Sequence, residues 1–475
     1  MLADVFTYKK AISNPSKEKE WYKAMKQEFE SLTSHHTGDL VPYPTNGTKV
    51  IGGMWQLTRK RNEFGEVYCR KARWVVLGNH QEHMVHYYDT WASVGRNETF
   101  KILLVLTVTQ GYVPYQFDIK TTFLHGKMDT NVSVKQVKGF EVPGKEGWVW
   151  QLNKSLYGTK QVPRMWQTKL AETLAELGMK SSCSDDSLYL DERRSLFLHV
   201  HVNNGFLIAK YENDILDFLK KLNKRLKLNY EKKPTQHLGY RLNWKHNGSV
   251  TLSIGTLNYI AQHTRPDILF TVNVLSRYST HPTAKHWVAL KHLLRYLQAS
   301  CDLSLCYSRP KEKKESSLIG WADADYANDR FDCKSISGNL ITYCRNPVSW
   351  TSKKQSVVTQ STTEVEFISM NICAKQLQWL TYLLRDLEQD IERPVICNDN
   401  SGAMTISSQA SLNANTKHIE IRYQYIRDMV LKKLMDVGQV GTYDMIADVL
   451  TKPMGIQKMT NVPKQLHLEN QGGVL

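Results

Sequence analysis

Apolar residues recur at two different periods along this chain, and each change of period marks a predicted element. Residues 15–35 place Trp21, Met25, Phe29 and Leu32 at helical spacing among Lys and Glu, the pattern of an amphipathic helix. Turn material follows at Thr37, Gly38, Asp39, Pro42 and Pro44. Strand-like runs come next at Lys49–Arg59 and Val67–Leu77, with a turn between them at Asn62–Gly65. Residues 99–110 suit a buried helix despite their β-branched content, and Val113–Ile119 reads as a strand that delivers Asp118 at its end. Residues 165–178 form a second amphipathic helix closed by Gly178. Two apolar β-type runs, Leu196–Val202 and Phe206–Ala209, flank Asn203-Asn204-Gly205, a hairpin signature because Asn and Gly tolerate positive φ. A helix over 213–227 has a basic end. Another over 285–299 offers Trp287, Leu290, Leu293, Leu294 and Leu297 as its core face. The polar stretch Lys311–Ser317 is the best domain boundary.

Composition narrows the class. At 475 residues, with 41% hydrophobic and 23% charged residues, the chain can build roughly three domains with real cores. Its net charge of +16 favours a polyanionic partner. From Lys220 to Lys233 seven basic residues face one acid, Glu231, which reads either as a solvated helix face or as a phosphate-contacting surface. The 8 cysteines are scattered without CxxC pairs, which suggests reduced thiols. No apolar run approaches the ~18 residues of a membrane span, and the N-terminus lacks a signal-peptide core. These features predict an intracellular chain, cytoplasmic or nuclear, with no membrane partner.

The words between these elements carry a resemblance. Trp21–Met25, Thr37–Pro42, Val50–Trp55, Lys71-Ala-Arg73, Phe117–Gly126 and Lys154–Trp166 stand in an order similar to the reverse transcriptase of copia-type LTR retrotransposons. The resemblance implies polymerase fingers and palm, with Lys71 and Arg73 meeting the triphosphate of an incoming nucleotide. Asp118 matches the family's first metal-binding carboxylate, and Asn203 and Asn204 match the other two. Nucleotidyl transfer uses two divalent ions bridged by carboxylates. Two amides in place of two aspartates change the formal charge of those three positions from −3 to −1. Trp91-Ala-Ser-Val94 lacks the family's usual proline before the valine. Leu252–Ile260 joins directly two pieces that the family separates by a stretch covering the thumb. The resemblance therefore implies a polymerase frame that no longer polymerises.

After the linker stand Trp321–Ala327, Ser335–Gly338, Val348–Gln355, Ser361–Ile368, Val395–Asn400, Thr416–Ile419 and Ile446–Pro453. This series resembles the ribonuclease H domain that ends copia-type polyproteins. Position by position it implies that Asp323, Glu366, Asp399 and Asp448 hold Mg2+, with Mn2+ as the alternative ion. Two strand ends and two helices can bring four acids onto one metal pair ~3.5–4 Å wide. Asp325 and Glu364 are neighbouring rivals. Glu364 is the poorer one, since positions two apart on a helix do not share a face. His418 either orients water or product, or bonds backbone at a helix start. Ser335, Ser337 and Lys353 are implied contacts to phosphates of the hybrid.

The combined expectation is an α/β (α+β) chain. It has reverse transcriptase fingers and palm over 1–210, a truncated thumb or connection over 211–310, and a ribonuclease H-like domain over 311–475. That last domain is expected to be a mixed five-stranded sheet with flanking helices. Its partner would be an RNA–DNA hybrid or other nucleic acid. The rival expectations are a remnant that binds nucleic acid without cutting it, and an unstable pseudogene product.

Overall fold

A computed structural model describes residues 4–13, 15–45, 47–61, 66–245, 249–253, 257–310, 317–329, 332–408 and 425–470. The turn at 62–65, the linker at 311–316, residues 254–256 of the shortened joint, and His418 with its neighbours lie outside the described residues. The chain packs into two compact units that interleave along the sequence. One comprises Met1–Val94, Asp118–Lys180 and Lys220–Asn229; the other comprises Gly95–Phe117, Ser181–Leu219 and Tyr230–Leu475.

In the smaller unit the helix Pro15–Ser34 buries Trp21, Met25 and Leu32, as its period predicts. It shares a core with an antiparallel hairpin of strands Gly53–Arg61 and Val67–Val76, where Trp55 and Trp74 meet edge to face. A second sheet orders Gly38–Val41, Val149–Leu152 and Ser133–Lys135. The helix Val162–Glu176 ends before Gly178, whose φ of 82° supplies the left-handed residue that releases the chain.

The larger unit is built on the helix Asn97–Gln110, in which every residue from Thr99 to Val108 is buried. A helix enclosed on all sides shows no amphipathic stripe, so its β-branched run is no obstacle. Beside it in sequence, strand Val113–Ile119 is as predicted. Strands Leu196–His201 and Asn204–Ala209 pair with His201 opposite Asn204. The turn is thus Val202-Asn203, with Val202 at φ 59°, and not the Asn203-Asn204-Gly205 expected. Gly205 serves packing: a Cβ there would stand 2.2 Å from the Phe117 ring.

The final sheet has five strands in the order Asn346–Lys354, Ile336–Tyr343, Leu318–Asp325, Val395–Asn398 and Asp436–Gln439. The first three pair antiparallel and the last two join parallel, giving the mixed sheet the sequence predicts. The long helix Thr362–Asp386 covers one face. It sits so close to Gly320 that a Cβ there would lie 2.5 Å from the Cys373 sulfur. The short 3-10 helix Ile446–Leu450 sits over Gly338 on the other face, 2.8 Å from a Cβ built at that glycine.

Two predicted core faces are corrected. On the long helix Ile368 and Leu377 are buried, but Ile372 is exposed. On the helix Ala284–Ala299 only Leu293 is buried, and Trp287 is 55% exposed. A run of leucines and tryptophan at helical spacing reads as a core stripe whether or not a partner element exists to cover it.

Candidate metal centre

The central strand Leu318–Asp325 carries Asp323 near its end, buried to 1% exposure. The long helix begins at Ser361, whose hydroxyl accepts from Glu364 N at 3.2 Å. Glu364 reaches back to Gln360 N at 2.9 Å, so it is spent on the cap. Glu366, two residues on, turns inward and is 7% exposed. Asp399 follows the strand Val395–Asn398 and is partly exposed. One oxygen from each of Asp323, Glu366 and Asp399 lies within 4.8 Å of the others.

Neighbouring groups fix these acids. Asn398 is fully buried; its amide donates to Ala322 O at 2.8 Å and to Glu366 Oε2 at 3.0 Å, and its oxygen accepts from Asn400 N at 2.8 Å. Asp399 is thereby held between two anchored asparagines. The Thr451 hydroxyl donates to Asp323 Oδ2, and the Ser369 hydroxyl donates to the Asp323 carbonyl at 2.8 Å. Burial and then the neighbouring acids push Glu366 up to about 8. Burial likewise pushes Asp323 up to about 7, with Asp448 and Asp399 adding to the rise and Lys452 opposing it. Three hard oxygen donors, two of them buried and mutually repelling, form a set that a divalent cation would satisfy.

Asp448, on the 3-10 helix and 1% exposed, stands outside this group of three. Lys452 Nζ lies 2.8 Å from its Oδ1, and Lys458 pairs with its Oδ2. Lys452 also lies 3.8 Å from Asp323. Asp325 accepts from the Asn328 amide and is not part of the cluster. Ser335 and Ser337 are fully buried and bonded inward, the first to Ala327 N at 3.0 Å and the second to Gln355 Nε2 at 2.8 Å. They cannot reach a phosphate, whereas Lys353 is exposed. Sequence reasoning missed Asn398, Ser369, Thr451, Lys452 and Lys458. Asn398, Thr451 and Lys452 lie inside family-like words, but their types alone give no hint of a role.

The other candidate residues are separately placed. Lys71 and Arg73 share one face of their strand, with the Arg73 guanidinium 5.2 Å over the Tyr157 ring. Burial raises the Glu28 carboxyl, and both cations act against that rise. Asp118 is exposed at the end of Val113–Ile119. Asn203 and Asn204 are half-buried at their hairpin, where the Asn204 amide donates to Asn203 Oδ1 at 3.3 Å. All seven cations of Lys220–Lys233 are exposed; Arg225 pairs with Glu176 at 3.2 Å and Lys232 with Glu212 at 2.6 Å.

Residues 35–268 match the reverse transcriptase (RNA-dependent DNA polymerase) family. The chain is 31% identical to the retrovirus-related Pol polyprotein from transposon RE2 of Arabidopsis thaliana, over 97% of this chain and 35% of that protein. It is 30% identical to the counterpart from transposon RE1 of the same plant, over 95% and 34% of the two chains. With the Pol polyprotein from transposon TNT 1-94 of Nicotiana tabacum it shares 30%, over 94% and 37%. The chain thus spans about a third of the length of these relatives. No described helix is long and apolar enough to cross a membrane. Residues 35–268 are therefore a reverse transcriptase-like domain, and the chain belongs with the Pol polyproteins of copia-type retrotransposons.

Proposed function

We propose that this chain is a reverse transcriptase fold that has lost polymerisation and retains a metal-dependent ribonuclease H cutting RNA in RNA–DNA hybrids. The reading assigns fingers and palm to 1–210, a shortened connection to 211–310 and the nuclease to 311–475. The observation that carries it is the convergence of Asp323, Glu366 and Asp399 within 4.8 Å on the mixed sheet.

Mg2+ bound by these acids would supply Lewis acidity to the attacking water and to the leaving 3′ oxygen. The residues do the rest. Asp323 and Glu366 hold their positions through Thr451 and Asn398, so no side-chain ordering remains to be done at the moment of reaction. Asp399, the most accessible of the three, faces the side from which a phosphodiester arrives. Asp448 is a positioning residue that holds Lys452 and Lys458, and Lys452 sets a positive charge 3.8 Å from Asp323. At the polymerase positions the amides of Asn203 and Asn204 supply no comparable attraction for a dication.

The test is a labelled RNA–DNA hybrid incubated with the full chain and Mg2+, with all-DNA duplex as control. Cutting of the RNA strand is expected, and Asp399→Asn should abolish it while leaving hybrid binding intact. If folded protein binds the hybrid and cuts nothing, it is a nucleic-acid-binding remnant. If Asp399→Asn cuts as fast as the parent, the activity belongs elsewhere.

A further inference from the structure

The helix Ala284–Ala299 contains no acidic residue, yet it carries Lys285, Lys291 and Arg295 together with His286 and His292. Among the described residues none of these three cations has an ion-pair partner. Lys291 and Arg295 follow Trp287 and Val288 at spacings of three and four, which puts all four on one stripe of the helix. That stripe is open: Trp287 is 55% and Val288 65% exposed, and the Lys291 ammonium lies 5.5 Å from the Trp287 ring centroid. Lys285, Val288 and His292 also line one wall of a groove of about 530 Å³. Lys452, the lysine beside Asp323, lines the other wall.

We propose that this stripe is a docking surface for the sugar-phosphate backbone of a nucleic acid duplex, continuous through the groove with the carboxylate cluster. An uncovered helix face that mixes aromatic and cationic groups, with no anion to neutralise it, is complementary to a polyanion with apolar sugars. Lys291 and Arg295 neutralise phosphates, Trp287 and Val288 lie against the sugars, and Lys285 leads the same strand toward Lys452. A protein partner would more readily be met by a stripe without unpaired cations. The inference rests on the hybrid-cutting reading only for the destination of that strand; the binding surface stands without it.

The test compares the full chain with the variant Trp287→Ala/Lys291→Gln/Arg295→Gln, all three being surface positions outside the carboxylate cluster. Binding of a fluorescent RNA–DNA hybrid is measured across salt with Ca2+ in place of Mg2+, and cleavage is measured separately with Mg2+. Loss of two phosphate contacts should flatten the slope of log affinity against log salt by ~1.8 and weaken binding roughly tenfold at moderate salt. Such a loss supports the proposal even where the parent protein cuts nothing, a result that would remove the nuclease reading alone. Unchanged affinity and slope in the variant would overturn it. So would a change in sedimentation from oligomer to monomer with hybrid binding intact, because the stripe would then join copies of this chain.

Discussion

The hairpin at Val202–Asn203 and the cluster at Asp323, Glu366 and Asp399 both occupy positions where the family words call for acids, and they have fared differently. At the hairpin the two amides are half-buried, and one donates to the other at 3.3 Å, so the local structure is satisfied without any ion. At the cluster the acids are buried, repel one another and are held in place by Asn398, Ser369 and Thr451. Such an arrangement opposes folding unless a cation neutralises it, because desolvated like charges are unfavourable. A neutralised site can rest as plain structure. A charged one keeps an unmet demand, and that demand is the physical sign of a working metal centre.

The largest effect that would break this contrast is in the Mg2+ response. Raised carboxylates contribute stability that is complete below their ordinary values of 3.8 and 4.5 and is lost as pH rises through about 7 to 8. Mg2+ competes with those protons, so its stabilisation should grow as pH rises from 6 to 8. Melting curves should show a Mg2+-dependent increase of several degrees at pH 8 and little at pH 6. Asp399→Asn should remove most of it. Equal Mg2+ shifts at both pH values, or a shift that survives Asp399→Asn, would place the ion elsewhere.

Next in size is Gly205→Ala. The added methyl has no room before the Phe117 ring, and overpacking of this kind costs ~1–3 kcal/mol or more. Denaturant unfolding should show the loss, and Phe117→Leu in the same chain should recover part of it. An unchanged midpoint would mean that the glycine serves the turn after all. Asn398→Ala should cost ~1–3 kcal/mol through the buried groups it leaves without a partner. It should also slow cutting with little change in hybrid affinity, since the residue touches Glu366 and not the substrate.

These residues show what was legible beforehand. Periodicity revealed the helix at 15–35, the strand Val113–Ile119 and the five-stranded sheet, because each buries one face or is enclosed. Three of the four proposed acids meet in space, each sitting at a strand end or the first turns of a helix. What stayed hidden depends on partners distant in sequence. Gly205 is explained by Phe117, and Asp448 by lysines at 452 and 458. The open stripe around Trp287 is explained by the lack of any described element against it. A one-dimensional pattern shows which face is apolar and not whether anything arrives to cover it.

The smallest expected effect is none, and it bears directly on the hairpin half of the contrast. Asn203→Asp/Asn204→Asp restores two carboxylates at the positions that resemble the polymerase site. Primer extension on a primed template should remain undetectable with Mg2+ or Mn2+, because charge is only one requirement. The joint at Leu252–Ile260 still lacks the stretch expected to hold template and primer, and positioning supplies a large share of phosphoryl-transfer catalysis. The double variant should instead be slightly less stable at neutral pH, by under ~1 kcal/mol, since adjacent half-exposed carboxylates repel where the amides bond. Extension that appears in the double variant and vanishes on Asp118→Ala would show that two missing charges were the whole defect. The hairpin would then be a metal site needing only its acids, and the distinction between a resting site and a poised one would fail.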